Sequence, residues 1–264
     1  MDSGLLNKRD ELSVLIQKRD PDVMVFNEVL PKRTRKKKKI QHKDFEIEGY
    51  DFLLRSTVEG RGVIVYFKQL LTVYSVDFLI SFNFEESLWV RIKLKGCDTL
   101  LVGNIYRSPS STYENNLKLN ELLRKAMELK DSHILLMGDF NYGGLNWEFL
   151  QSSEHLEHSS TLFMEKIYLF LYQHVDRDTR HWVGQSPLRL DLLFTNEIGM
   201  ISELDRSTLP PLGASDHCCL LFKFACYTKM RKSETPRPNF YKGDYPSMKK
   251  TFQDTDWSLC ENEH

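Results

Sequence analysis

The chain has 264 residues, 41% of them hydrophobic, and a formal net charge of −1. That suffices for one large domain or two small ones, and no global field draws the protein to nucleic acid. Its five cysteines (Cys97, Cys218, Cys219, Cys226 and Cys260) are odd in number and form no C-x-x-C pair, which argues against zinc fingers or a disulfide framework and for reduced thiols in an intracellular setting.

No apolar run approaches the roughly 20 residues a membrane span needs, so no signal peptide and no membrane contact are expected. Leu12, Leu15 and Ile16 lie at helical spacing within residues 5–18 and predict an amphipathic helix, which Asp20-Pro21-Asp22 ends. Val23–Asn27 (VMVFN) predicts a buried strand with Glu28 at its exit. A helix followed by a buried strand is the second half of a β-α-β unit, so the first strand is expected to be missing. Residues 32–39 (KRTRKKKK) place seven basic side chains in eight. Such a run is a solvated loop. It is also a candidate for phosphate contact, through Lys36 and Lys37 among others, or for nuclear targeting.

Strand-like segments follow at 45–52, 62–67, 72–78 and 88–94, the last alternating as a half-buried strand does. Residues 99–106 (TLLVGNIY) predict a strand ending in Tyr106, and Arg107-Ser108-Pro109 a loop. The spacing of Leu119, Leu122, Leu123 and Ala126 predicts a helix over 113–129. Residues 133–138 predict a buried strand that runs into Asp139-Phe140-Asn141. Residues 162–174 predict a helix with Phe163, Ile167, Phe170 and Leu171 on one side. Strands are expected at 189–196 (RLDLLFTN), at 202–207 and, after Ser215-Asp216-His217, at 218–224. Past Lys229 the composition turns charged and proline-bearing, a linker, before a short helix within 244–257 that carries Met248, Phe252 and Trp257. The pattern predicts a domain over 1–228, a linker and helical connector over 229–264, and an α/β or α+β layered sandwich.

Polar groups recur at the ends of the apolar strands: Glu28, Tyr106, Asp139 with Asn141, Asp191, and Asp216-His217. Asp139 and Asn141, two apart on a strand, would point the same way, although D-x-N also closes many turns. Asp191 amid apolar neighbours needs a partner, and His217 offers one. Carboxylates such as Glu28 and Asp216 can hold a divalent cation. Asp139 can orient or deprotonate a water, and Asn141, Tyr106 and His217 can donate to phosphate oxygens.

Phe26-Asn27-Glu28, Arg61-Gly62-Val63, Asn104-Ile105-Tyr106-Arg107-Ser108-Pro109, Gly138-Asp139-Phe140-Asn141, Leu190 to Asn196 (LDLLFTN) and Ser215-Asp216-His217 occur in that order. Together they resemble the endonuclease/exonuclease/phosphatase superfamily, in particular the apurinic-type endonuclease domain of non-LTR retrotransposons, over about residues 1–225. The stretch 239–257 resembles the connector towards a reverse transcriptase, which is absent. The resemblance implies a DNase I-like four-layer α/β sandwich with two packed mixed sheets. It implies a metal site at Glu28 and Asp216, and Tyr106, Asp139, Asn141, Asp191 and His217 as catalytic residues. Arg107, Lys36 and Lys37 would touch nucleic acid. The implied activity is Mg²⁺-dependent nicking of DNA (Mn²⁺ as an alternative ion) by a monomer without a small-molecule cofactor, and the basic run together with a DNA substrate points to a nuclear location. Two other readings stay open: a catalytically impaired nucleic-acid-binding remnant, and a phosphatase or lipid phosphodiesterase of the same superfamily. Family members open with a strand that ends in a metal-placing asparagine. Met1 aligns with about that position, so reduced stability and weak or absent catalysis are expected.

Overall fold

The computed structural model describes residues 4–30, 40–56, 61–77, 84–147, 151–152, 159–204, 211–228 and 243–255. The basic run at 32–39 and Trp257 lie outside them. The chain divides into two units, Met1–Arg231 and Lys232–His264. The first unit runs α1 (Arg9–Arg19), β1 (Val23–Asn27), β2 (Tyr50–Arg55), β3 (Val63–Lys68), β4 (Val73–Ser75), β5 (Ser87–Lys93), β6 (Thr99–Tyr106), α2 (Tyr113–Glu128), β7 (His133–Asp139), β8 (Leu145–Asn146), β9 (Gln151–Ser152), α3 (Ser159–Tyr168), β10 (Tyr172–Gln173), β11 (Asp191–Thr195), β12 (Ile201–Ser202) and β13 (Lys223–Phe224). The second unit holds α4 (Tyr245–Asp254), which Asp244 caps by accepting the Ser247 N–H at 3.1 Å.

Four layers follow from which side chains share a face. β1, β3 and β2 form an antiparallel sheet in the order β1-β3-β2. A second sheet has the order β10-β11-β7-β6-β5-β4 and is mixed, because β6 and β7 run parallel. Val63, Val65 and Phe67 of β3 meet Leu88, Val90, Leu100, Val102, Leu135, Met137 and Leu193 of the larger sheet in one apolar cluster between the sheets. The opposite face of the larger sheet carries Trp89, Leu101, Ile105, Leu136, Leu192 and Phe194. These pack on Leu119, Leu122 and Leu123 of α2 and on Phe163 and Ile167 of α3. The opposite face of the smaller sheet, Met24, Ile64 and Tyr66, packs on Leu12 of α1 and on Leu5 and Phe45. The α/β sandwich of two packed sheets between helices is the expected fold class, with one difference: only the larger sheet is mixed.

Local outcomes differ where tertiary context decides. β5 was expected to be half-buried. It is buried on both faces, at Leu88 and Val90 and at Trp89, because apolar layers cover its sheet on both sides. The helix expected over 162–174 stops at Tyr168, and Phe170, placed on its packing side, is 54% exposed. The chain then turns into β10, which pairs with β11. The strand expected over 218–224 is regular only at Lys223–Phe224. Among the described residues β1 pairs on one side only, with β3.

Candidate active site

Strand register assembles the site. Tyr106 at the end of β6 lies level with Asp139 at the end of β7, and Asp139 lies level with Asp191 at the start of β11. Partners in register share a face, so three polar side chains stand in one row where the sheet ends, on the side that faces the smaller sheet. Gly138 sets the close approach beneath the row. Its φ is +141°, and a Cβ there would lie 1.9 Å from the Ile105 carbonyl oxygen, so a side chain is excluded. From the smaller sheet, Asn27 Nδ2 donates to the Ile105 carbonyl at 3.0 Å and pins the end of β1 beside β6. The next residue, Glu28, adopts a left-handed φ of 52°, and its Oε1 accepts the Tyr106 hydroxyl at 2.6 Å. Burial and then Glu28 push the Tyr106 phenol far above its usual range, so it stays neutral and a donor.

Asp139 is buried. Burial first, and then the charge of Asp191, raise its carboxyl well above the ordinary carboxylate range. Asp191 Oδ2 lies 2.7 Å from His217 Nδ1. Burial pulls the imidazole down, but Asp191, with Asp139 and Asp216, outweighs it and lifts His217 to about 9. The ring is therefore cationic at neutral pH. Asp216 turns to Arg180, whose Nε lies 2.6 Å from Oδ2. Burial raises the Asp216 carboxyl, but Arg180 and His217 hold it below the usual range, so it remains ionised.

A hairpin that carried no recognisable motif holds the acid–histidine pair together. Arg180 bridges to Leu188 on one side and to His217 on the other. Thr179, fully buried, accepts the N–H groups of Leu190 and Asp191 on its hydroxyl at 3.1 and 2.9 Å, and the Cys218 N–H on its carbonyl at 2.8 Å. One residue thus fixes the backbone on both sides of the Asp191–His217 contact. The loop also exposes Trp182 and Val183, the latter 99% exposed.

Two sequence-predicted residues sit differently from expectation. Asn141 does not continue the strand: β7 ends at Asp139, and Asn141 has a left-handed φ of 50°. Its N–H donates to Asp139 Oδ1 at 3.1 Å and its Nδ2 to the Arg107 carbonyl at 2.9 Å, so strand alternation does not set its direction. Arg107 is buried and faces inward. Its guanidinium donates to Asn116 Oδ1 at 2.7 Å and to the Asn141 carbonyl at 3.0 Å, and lies 4.0 Å from the centre of the Tyr142 ring. A half-exposed cation does stand nearby in Arg61, which pairs with Glu86 and donates to Ser108 Oγ. Lys36 and Lys37 lie outside the described residues.

The donor set suits a hard divalent ion. Asp139, Asp191 and His217 each bring one candidate ligand atom, all within 4.8 Å of one another. Glu28, bonded to Tyr106, and Asp216, bonded to Arg180, lie outside that group of three. Of the three, His217 is the poorest ligand, because its ring is protonated and held by Asp191.

The model of the Endonuclease/Exonuclease/phosphatase family matches residues 3–217. The chain belongs to that family, whose members are enzymes that hydrolyse phosphate esters. Solved structures give the same fold. The endonuclease domain of TRAS1, a telomere-specific non-LTR retrotransposon, superposes with a TM-score of 0.59 at 17% identity, over 82% of this chain and 91% of its own. The 3′ phosphatase NExo from Neisseria, bound to product DNA hairpin, gives 0.59 at 17% identity over 84% and 96%. The AP endonuclease LMAP from Leishmania major gives 0.59 at 14% identity over 84% and 85%. No curated protein matches the sequence. No helix among the described residues is long and apolar enough to cross a membrane.

Proposed function

We propose that the chain is a metal-dependent endonuclease that hydrolyses DNA phosphodiester bonds, of the kind that nicks target DNA for a non-LTR retrotransposon. The observation that supports this most directly is the row Tyr106–Asp139–Asp191 with His217 locked to Asp191. In that row each protonation state suits one task. Asp139, its carboxyl made more basic by burial, takes the proton of a water whose oxygen attacks phosphorus. His217, kept cationic by Asp191, and Tyr106, kept neutral, donate to the oxygens on which negative charge builds. The P–O bond to the leaving strand then breaks, and the departing 3′-oxygen takes a proton from a water molecule to become a 3′-hydroxyl. Glu28 and Asp216 would hold Mg²⁺ or Mn²⁺, and a bound ion neutralises charge on the phosphate. DNA as substrate is supported by the family and by the DNA-bound neighbour. The basic run at 32–39 fits phosphate contact and nuclear entry.

A second reading, nucleic-acid binding without turnover, draws on one observation: both metal-side acids already have protein partners, Glu28 in Tyr106 and Asp216 in Arg180. Supercoiled plasmid and Mg²⁺ separate the two. The first reading expects nicking by the parent and a loss of at least ~100-fold in Asp139→Asn and His217→Ala. Nicking that survives both substitutions refutes the assigned site, and plasmid binding without nicking by the parent establishes the second reading.

A further inference from the structure

Arg61 closes a ring of contacts around the Tyr106 end of the row. The Tyr106 hydroxyl bonds to Glu28 at 2.6 Å, and the next residue, Val29, donates its N–H to the Gly62 carbonyl at 3.3 Å. Gly62 has a φ of +137°, and a Cβ there would lie 3.1 Å from Val29 Cγ2. The turn that carries Arg61 therefore sits directly against the residue after Glu28. Arg61 pairs through Nη1 with Glu86 Oε1, and the Glu86 carbonyl accepts the Tyr106 N–H at 2.8 Å, which completes the ring. A second arm reaches the loop that leaves β6. Arg61 Nη2 donates to Ser108 Oγ at 3.2 Å, and Ser108 Oγ lies 3.2 Å from Ser110 Oγ.

The ion pair faces outward by one end only. The Glu86 side chain is 9% exposed and that of Arg61 35%. A carboxylate so buried needs its cation, which accounts for one arm of the guanidinium. It does not account for the rest of the group, which stands at the surface beside the exposed Ser110. A guanidinium carries more N–H groups than the contacts to Glu86 and Ser108 use, in a planar fork that matches phosphate oxygens. We propose that Arg61, with the Ser110 hydroxyl beside it, binds a DNA backbone phosphate other than the scissile one. Glu86 and Ser108 fix the fork before DNA arrives, so little side-chain freedom is lost on binding. The contact sets the position of the strand against Tyr106 and reads no base. The cation that the inward-turned Arg107 does not bring to this rim, Arg61 brings.

This inference rests on the reading of the site as a DNA endonuclease, and the test keeps the two apart. A short fluorescein-labelled DNA duplex is titrated with the full chain in EDTA across a salt series, and binding is read by fluorescence anisotropy. Arg61→Gln combined with Glu86→Gln removes both charges of the pair, so the net charge stays that of the parent and no buried carboxylate is left alone. The double variant is expected to bind about tenfold more weakly at low salt and to lower the slope of the log–log salt plot by about one. Circular dichroism checks its fold. Ser110→Asp, a change at an exposed position, serves if the double variant does not fold: its carboxylate occupies the guanidinium in place of the phosphate and is expected to weaken binding at least as much. An unchanged slope in the folded double variant, or unchanged binding by Ser110→Asp, leaves Arg61 as the partner of Glu86 alone and overturns the proposal. Plasmid nicking judges the underlying reading separately. A parent that nicks, with a double variant of unchanged slope, overturns this inference only, and a parent that neither nicks nor binds overturns both.

Discussion

Single side chains in this site are set by a contest between burial and neighbouring charge, and His217 shows which wins. Its ordinary pKa of 6.5 becomes about 9 in the fold, because the carboxylates opposite outweigh desolvation. The group binds its proton more tightly folded than unfolded. The associated stability is therefore complete below pH 6.5 and is lost as pH rises towards 9. The shift corresponds to about 3 kcal/mol, and the pair is only about one-quarter exposed, so screening leaves most of it. Denaturant midpoints between pH 6 and pH 9.5 are expected to fall by that order in the parent and much less in His217→Gln. Parallel pH profiles for the two proteins would refute the ion pair. The sequence already disclosed this partnership, because an acid inside LDLLF needs a counterpart and His217 was the available one. It did not disclose Thr179, since a buried hydroxyl that accepts two backbone N–H groups leaves no mark in the residue order.

Elements place those side chains through register. Tyr106, Asp139 and Asp191 fall in one row only because β6, β7 and β11 end level, and a slip of one residue would turn each to the other face. Gly138 underlies that register through its approach to Ile105. Gly138→Ala is expected to cost more than ~3 kcal/mol, read as a loss of soluble folded protein or a large fall in the thermal midpoint. A mild effect would mean that the strands can part without consequence. Strands and helices with strong apolar periodicity were legible in the sequence: β6, α2 and β7 lie within a residue or so of their expected limits. Those that depend on a partner were not. The end of α3 is decided by the pairing of β10 with β11, and the stretch 218–224 by which backbone lies alongside it. The inward turn of Arg107 to Asn116 and the Tyr142 ring was hidden for a related reason, because periodicity cannot tell a loop arginine that faces solvent from one that faces the interior.

The whole molecule carries almost no net charge, so its approach to DNA depends on where charge is concentrated. The run at 32–39 is the densest positive stretch in the sequence. If it meets phosphates, plasmid binding weakens linearly on a log–log salt plot, and the double variant Lys36→Glu, Lys37→Glu lowers the slope by about two. An unchanged slope would remove the run from the interface. The layered class, the order of the polar strand ends and the likeness to a phosphodiesterase family were all apparent from the sequence. The pairing of Asp216 with Arg180 required coordinates, because 36 residues separate them and no motif links them.

Glu28 and Asn141 adopt left-handed backbone angles, and both stand at strand exits in the site. For residues with a Cβ that geometry costs about 1 kcal/mol or more each, less for asparagine. Glycine at either place would relax the backbone and strip the carboxylate or the amide from the site. Asp20 and Glu203 share that geometry away from the site, so the proposed chemistry bears on two of the four such positions among the described residues. If Glu28 and Asn141 act as proposed, variants selected for heat resistance alone would be drawn to those two positions, and would become sturdier at the expense of hydrolysis.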